Sequence, residues 1–245
     1  MKIESLKNVR VKKWVRLKEK KERDKTETFL VETDHLVTEA KKRGLVLEII
    51  TTDEIEDSRI PTYTVSKEIM KKLTDQVTPP NIIAVCKKPE ETFQNGPVLC
   101  LDDIQDPGNL GTIIRSAVAF GFKQIVLSEH SVDIYNPKVI RSTEGMIFHI
   151  NILRKNLEEF LKSIQEEYLI LGTDVQNGNL IENVQVPAQY ALIIGSEGKG
   201  MHKEIRKYCD KFVYIPMSNL CESLNAGVSA SILMYELAKR KKYEE

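Results

Sequence analysis

Six apolar runs recur between residues 98 and 217 of this chain: VLCL, QIVLSE, FHINIL, YLILGTD, YALIIGSE and KFVYIPM, with helical patterns between them. Strands that face water on one side alternate apolar and polar residues. Strands covered on both faces read as continuous apolar runs. The pattern predicts an α/β fold with a parallel or mostly parallel sheet. In such sheets ligands bind beyond the carboxyl ends of the strands. The stretches that follow strand ends are DDIQDPGNLG (102–111), GSEGKG (195–200) and PMSNLCESLN (216–225).

Residues 1–88 have a different texture and predict a small α/β domain. LKNVRVKKWVRLKEKKERDK reads as one helix, and TFLVE as a short strand. DHLVTEAKKRG reads as a helix capped at Asp34 and stopped by Gly44. VLEIITT, SKEIMKKLTD and NIIAVCKK follow as strand, helix and strand. PEETFQNGP, residues 89–97, is polar with two prolines and a glycine, and marks a linker before a second domain at 98–245.

Lys plus Arg and Asp plus Glu both number 36, which excludes a globally basic nucleic-acid binder. A local basic face remains: nine Lys/Arg lie between Arg10 and Lys25 against Glu19, Glu22 and Asp24. It reads either as a solvated helix face or as a phosphate-contacting patch in which Lys12, Lys13 and Arg16 meet the backbone of a nucleic acid. Trp14, inside this segment, is expected to anchor the helix on its domain. No apolar run approaches the roughly 18–20 residues of a membrane span, and MKIESLKNVR lacks the apolar stretch of a secretory signal. Cys86, Cys100, Cys209 and Cys221 show no C-x-x-C spacing and the four histidines are scattered. The expectation is a cytosolic chain with reduced thiols and no metal site.

In LDDIQDPGNLGTIIRSAVAFG, Asp106-Pro107-Gly108 makes a turn, Asn109 is placed to cap a helix and Gly121 to end it. Asp102, Asp103 and Asp106 read as turn residues, not as magnesium ligands. Arg115 sits near the helix N-terminus, where a cation gains nothing from the helix dipole, which favours an anion-facing role. ALIIGSEGKGM is neither a P-loop nor G-x-G-x-x-G, and Glu197 within it would repel a pyrophosphate. In VYIPMSNLCESLNAGVSASILMYEL, Ser223 or Asn225 can cap the last helix. Ala226, Gly227, Ala230 and Ser231 give that helix a small face that another backbone can approach closely.

Together DPGNLGTIIRSAVAFG, IIGSEGKGM and IPMSNLCESLNAGVSASILMYE resemble the three signature motifs of the SpoU/TrmH ribose methyltransferases of the SPOUT superfamily, in order and spacing. Residues 1–88 resemble that family's L30e-like substrate-binding domain, with Thr33 and Asn81 where glycine is more common. The resemblance implies methyl transfer from S-adenosylmethionine to a ribose 2′-OH of rRNA or tRNA, with large-subunit rRNA favoured. It implies a sheet whose C-terminal segment threads a trefoil knot, and a homodimer through the last helix. It assigns Gly195, Ile215, Leu224 and Thr173 to the cofactor. It makes Arg115 the catalytic arginine, holding the adjacent phosphate and the attacking oxygen, with Glu197 orienting it. Asn109, Ser223 and Asn225 complete the polar cluster. A non-catalytic RNA-binding protein would have no need of Arg115, Glu197 and Asn225 together. A dinucleotide-dependent oxidoreductase would need the missing G-x-G-x-x-G.

Overall fold

The computed structural model describes residues 1–54, 59–175 and 178–241, which divide into two compact units. The first contains Met1–Glu90 and Asp133–Phe148. Its elements are β1 (Lys2–Ile3), α1 (Val9–Arg16), α2 (Lys20–Thr26), β2 (Thr28–Glu32), α3 (Asp34–Lys42), β3 (Val46–Thr51), β4 (Thr62–Val65), α4 (Lys67–Leu73) and β5 (Ile82–Lys87). The sheet runs β1-β4-β3-β5-β2. Its β1–β4 and β3–β4 pairs are parallel, and β5 is antiparallel to both neighbours. Trp14 is buried on this unit with Ile50, Tyr63 and Ile69, as an anchor should be.

The expected single basic helix is two. Arg23 Nη1 donates to the Leu17 and Lys18 carbonyls at 2.8 and 2.7 Å, so a guanidinium takes up carbonyls at the end of α1 and the chain turns there. Thr33, not Asp34, holds the N-cap position of α3, and its side chain makes no capping bond. Strand β4 has no apolar run because its residues alternate between half-buried and buried. The segment Asp133–Phe148, expected in the second domain, packs with the first unit instead. Arg23 pairs with Asp133 at 2.5 Å, the Phe29 and Tyr135 rings lie 4.5 Å apart, and Arg141 reaches Glu32 at 3.4 Å. The Arg23 and Glu32 side chains are both nearly inaccessible, so leaving either unpaired would be costly.

The second unit contains Glu91–Val132 and His149–Glu245. It begins with β6 (Val98–Leu101), α5 (Pro107–Ala119) and β7 (Gln124–Leu127). After β7 the chain passes to the first unit, where Pro137–Ser142 is α6. It then continues as β8 (Asn151–Arg154), α7 (Leu157–Ile164), β9 (Leu169–Thr173), β10 (Asn179–Leu180), β11 (Tyr190–Ile194), α8 (Lys203–Arg206), β12 (Lys211–Tyr214) and α9 (Ala226–Lys241). The sheet order is β10-β12-β9-β11-β6-β7-β8 and every described pairing is parallel. Strands β6, β7 and β11 are buried throughout, which is why they read as unbroken apolar runs. Direction along the sheet reverses beside β6, where β7 and β8 lie on one side and β11 and β9 on the other. Ligand sites form at such a switch point. The cysteines are free; burial pushes the Cys86 and Cys209 thiols up to about 12, which keeps them protonated. No described helix is long and apolar enough to cross a membrane.

Candidate active site

Helix α5 starts where the sequence suggested, but with a different cap. Asp106 accepts from the Asn109 backbone N–H at 2.8 Å and Pro107 occupies the first turn. The Asn109 side chain is thereby freed for another use. Its Nδ2 donates to Glu197 Oε1 at 2.5 Å, and its Oδ1 accepts from Asn225 Nδ2 at 2.8 Å. Asn225 in turn caps α9, its Oδ1 accepting from the Gly227 and Val228 N–H groups at 2.9 and 3.2 Å. Three motifs far apart in sequence therefore meet in one relay, Asn225 to Asn109 to Glu197.

The small face of α9 packs within its own chain. A side chain on Gly227 would approach Thr112 to 3.3 Å. The Ser116 and Ser231 hydroxyls bond at 2.7 Å, and the Phe120 and Tyr235 rings sit 5.7 Å apart. Ala226 and Ala230 are buried. The expectation that Ala226, Gly227, Ala230 and Ser231 meet a second subunit is thus corrected: Gly227 and Ser231 are the seam with α5. The apolar side chains that α9 leaves exposed are Val228, Ile232 and Tyr235.

Beyond the carboxyl ends of β9, β11 and β12 lies a cavity of about 370 Å³. Thr173, Gly195, Ile215 and Leu224 all line it, with Glu197 and Ser223. Glu222, from the polar cluster with Ser223 and Asn225, lines it too, and the charged residue that sequence reasoning missed is Asp174. Asp174 follows its strand directly, so the rule that chemistry sits just past each run would have found it. Arg206, which lies over the Phe212 ring at 4.5 Å, pairs with Asp174 at 2.5 Å. Among the described residues three carboxylates line the cavity, Asp174 paired with Arg206 and Glu197 and Glu222 without a cation, and no lysine or arginine does. That lining favours a ligand carrying positive charge and disfavours a phosphate.

Gly195 has a reason other than contact with a ligand. A Cβ there would lie 2.3 Å from the backbone of Gly200 and Met201. Ser196 and Gly200 exchange backbone hydrogen bonds of 3.0 Å each way, folding the loop back on itself. This loop is anchored at its end: Asp102, just past β6, accepts from His202 N at 2.7 Å and faces its Nδ1 at 2.9 Å. The Asp102 carboxylate raises the His202 pKa through this bond. Asp102, Asp103 and His202 offer ligand atoms within 4.8 Å of one another, a grouping hidden by the hundred residues between its members. Both Asp102 oxygens are engaged by His202, so the observed bonding is that of a loop anchor.

Arg115 is exposed, and its guanidinium has no hydrogen-bond or ion-pair partner among the described residues. It does not line the cavity. Glu197 bonds to Asn109 instead, so the expectation that Glu197 orients Arg115 is not met in this chain. In the first unit, Lys13 and Arg16 line a second cavity, which Lys12 does not.

Comparison with known proteins fits this arrangement. Residues 96–235 match the SpoU rRNA methylase family, and residues 8–84 match the MRM3-like substrate binding domain. The 23S rRNA (guanosine(2553)-2′-O)-methyltransferase RlmP of Bacillus subtilis is 41% identical over 243 residues, 96% of this chain and 98% of that one. A putative TrmH family tRNA/rRNA methyltransferase of Staphylococcus saprophyticus is 34% identical over 60% of this chain and 59% of its own. Among solved structures, an RNA 2′-O ribose methyltransferase superimposes with a TM-score of 0.83 at 30% identity, covering 99% of this chain and all of that one. The AdoMet-bound rRNA methyltransferase of Sinorhizobium meliloti gives 0.88 at 25% identity, covering 98% of both. With the family match spanning more than half its length and a relative alike over nearly all of it, this chain belongs to the SpoU rRNA methylase family.

Proposed function

We propose that this protein methylates a ribose 2′-OH of 23S rRNA with S-adenosylmethionine as the donor. The observation that carries the reading is the cavity, lined among the described residues by carboxylates and by no lysine or arginine, set against the Asn225–Asn109–Glu197 relay. When bound, S-adenosylmethionine supplies an electrophilic methyl group on a positively charged sulfur. Thr173, Gly195, Ile215 and Leu224 would hold it, with Glu197 and Glu222 providing the negative surroundings that a sulfonium favours. A diphosphate-bearing dinucleotide would meet the same carboxylates and be repelled.

The ribose hydroxyl is a poor nucleophile and loses its proton as it attacks. Asn109 and Asn225 fix the rim of the site through the relay. Ser223, on the cavity wall, positions the nucleotide. Arg115, with no partner among the described residues, is free to hold the neighbouring phosphate and the attacking oxygen. The test is Arg115→Lys beside Arg115→Ala. Both variants are expected to fold and to bind S-adenosylmethionine normally, yet to lose about a hundredfold or more in transfer. Lysine keeps the charge but not the planar fork. Retention of more than half the rate by either variant moves the catalytic role to Asn109 or Ser223.

The guanosine on which the Bacillus relative acts makes the equivalent 23S rRNA position the first candidate. Mapping 2′-O-methylation in rRNA and tRNA from a strain lacking the gene tests this: a lost tRNA mark with intact 23S rRNA would redirect the assignment. The same reading holds residues 1–88, with Asp133–Phe148 packed on them, to be the RNA-binding part and the rest of 98–245 the transferring part. It includes a trefoil knot in the C-terminal segment and a cytoplasmic homodimer through α9. Support for the dimer is the exposed row Val228, Ile232 and Tyr235, which are 45%, 36% and 50% accessible.

A further inference from the structure

The first unit carries a cavity of about 440 Å³ that the transfer reaction does not use. Its walls include Arg10, Lys13, Trp14, Arg16, Lys25, Leu47 and Glu48, with Glu22 and Val85 also on the lining. The floor is neutralised internally. Glu48 accepts from Arg10 at 2.8 Å with one oxygen and from Trp14 Nε1 at 2.7 Å with the other. Arg10 is further held over the Tyr63 ring, 4.7 Å from its centre. Lys13, Arg16 and Lys25 are exposed and have no ion-pair or hydrogen-bond partner among the described residues. Three uncommitted cations thus line one concavity against the single unpaired carboxylate of Glu22, so the wall is net positive and the concavity focuses that field.

Part of the lining is apolar, Leu17, Leu47 and Val85. The β3–β5 register shifts between Val46 and Glu48, and the intervening Leu47 stands 42% exposed on the cavity. A bulge of this kind re-aims a side chain. A face that only met the backbone of an RNA duplex would need the cations but neither the concavity nor the leucine.

We infer that this cavity takes one unstacked nucleotide of the RNA, its phosphate on Lys13, Arg16 and Lys25 and its base against Leu47 and Val85. The inference rests on the reading of this protein as an RNA enzyme. It narrows the basic segment to a single-strand subsite and leaves Lys12 outside it. Unpaired RNA is recognised by holding splayed bases on apolar or aromatic walls, with cations tracking the backbone.

The chain has a single tryptophan, Trp14, and it lines this cavity, so its fluorescence reports occupancy directly. The full-length protein is titrated with a single-stranded RNA pentamer, with adenosine 5′-monophosphate, with inorganic phosphate, and with a duplex of the same sequence. A saturable change with the pentamer and the mononucleotide, and none with phosphate alone, is expected. Replacing Lys13, Arg16 and Lys25 together by Gln should weaken the pentamer at least tenfold. It should also flatten the slope of log K against log salt by about 0.7, the contribution of the one single-strand phosphate these cations hold. Leu47→Ser should weaken binding with the slope unchanged. No Trp14 response to the pentamer, equal affinity for the duplex, or an indifferent Leu47→Ser overturns the proposal. Methyl transfer to rRNA is measured on the same preparations. A protein that transfers methyl groups without the Trp14 response refutes the cavity assignment alone. One that shows the response without any transfer refutes the proposed function and leaves an RNA-binding cavity.

Discussion

Asn109 donates its side-chain amide to Glu197 across 88 residues of sequence, at 2.5 Å. The bond ties the start of α5 to the loop that borders the cavity, and Asn225 continues the tie to α9. Asn109→Ala removes a bond to a charged group, an interaction of about 1.5–3 kcal/mol, and leaves Asn225 without its acceptor. Methyl transfer is expected to fall about ten- to a hundredfold, with much less effect on cofactor affinity. Asn109→Asp should be worse than Ala, because two carboxylates would then face each other. Kinetics with cofactor and RNA varied separately check this, and an Asp variant as active as wild type would show that the relay does not matter to transfer.

Gly195 and Gly198 lie three residues apart and make opposite demands. A Cβ on Gly195 would lie 2.3 Å from the backbone of Gly200 and Met201, whereas one on Gly198 would have nothing within 4 Å. Gly195→Ala must push the loop off its own backbone, so cofactor affinity measured by calorimetry should fall tenfold or more. Gly198→Ala should bind as wild type does. Equal behaviour of the two variants would mean that the loop rearranges freely.

The strands of the second unit were legible because burial on both faces leaves no polar alternation to obscure them. The four expected cofactor contacts all reached one cavity for a related reason: loops at one edge of a parallel sheet must converge. Asn109 is where the reading ran short. The D-P-G-N turn offers two capping residues, and only the fold shows that Asp106 caps while Asn109 crosses to Glu197. The small face of α9 was legible as a close-packing surface, but sequence does not say whether the packed neighbour lies in the same chain. Likewise nothing local marks Asp133–Phe148 as belonging to the first unit. Its ties are single long-range pairs, Arg23–Asp133 and Arg141–Glu32, with no periodicity of their own.

Thr33 occupies backbone that threonine avoids, with φ 83° and ψ 149°. This region is nearly exclusive to glycine, and a β-branched residue there is strained by about 1–3 kcal/mol. The sequence already showed threonine where relatives more often carry glycine; the torsion angles supply the reason. Thr33→Gly is expected to stabilise the protein by about 1 kcal/mol, part of the relief being offset by the greater freedom of glycine in the unfolded chain. Urea denaturation measures it. A destabilised Gly variant would show that the threonine makes a compensating contribution elsewhere.

The exposed row on α9 separates two explanations of how a dimer would form. Gly227→Leu would drive a side chain into Thr112 of the same chain, already 3.3 Å from a Cβ at that position. It should therefore destabilise the fold itself by about 1–3 kcal/mol. Ile232→Glu, on an exposed position, should leave folding intact and shift sedimentation from dimer toward monomer. A wild-type monomer at working concentration would end the dimer reading. So would an Ile232→Glu protein that sediments unchanged together with a Val228→Glu protein that does the same.

The His202 anchor gives the cavity loop a defined response to pH. Asp102 raises the His202 pKa through their hydrogen bond, with lesser support from Asp103 and Glu204. A histidine whose folded pKa exceeds its unfolded value of about 6.5 contributes its full stability below that value, and loses it as pH rises through the folded pKa. The side chain is 40% exposed, so water screens the pair and the effect is modest. The expected result is that the stability difference between wild type and His202→Gln is largest below about pH 6.5 and shrinks above it. Cofactor affinity should follow the same profile, since His202 ends the loop that walls the cavity. Neutral imidazole can still donate from Nδ1 to Asp102, so the difference should diminish without vanishing. Urea midpoints and calorimetric affinities of the two proteins across pH 5–9 test the point, and a wild-type-minus-variant difference that grows with pH would mean that His202 is held in its neutral form.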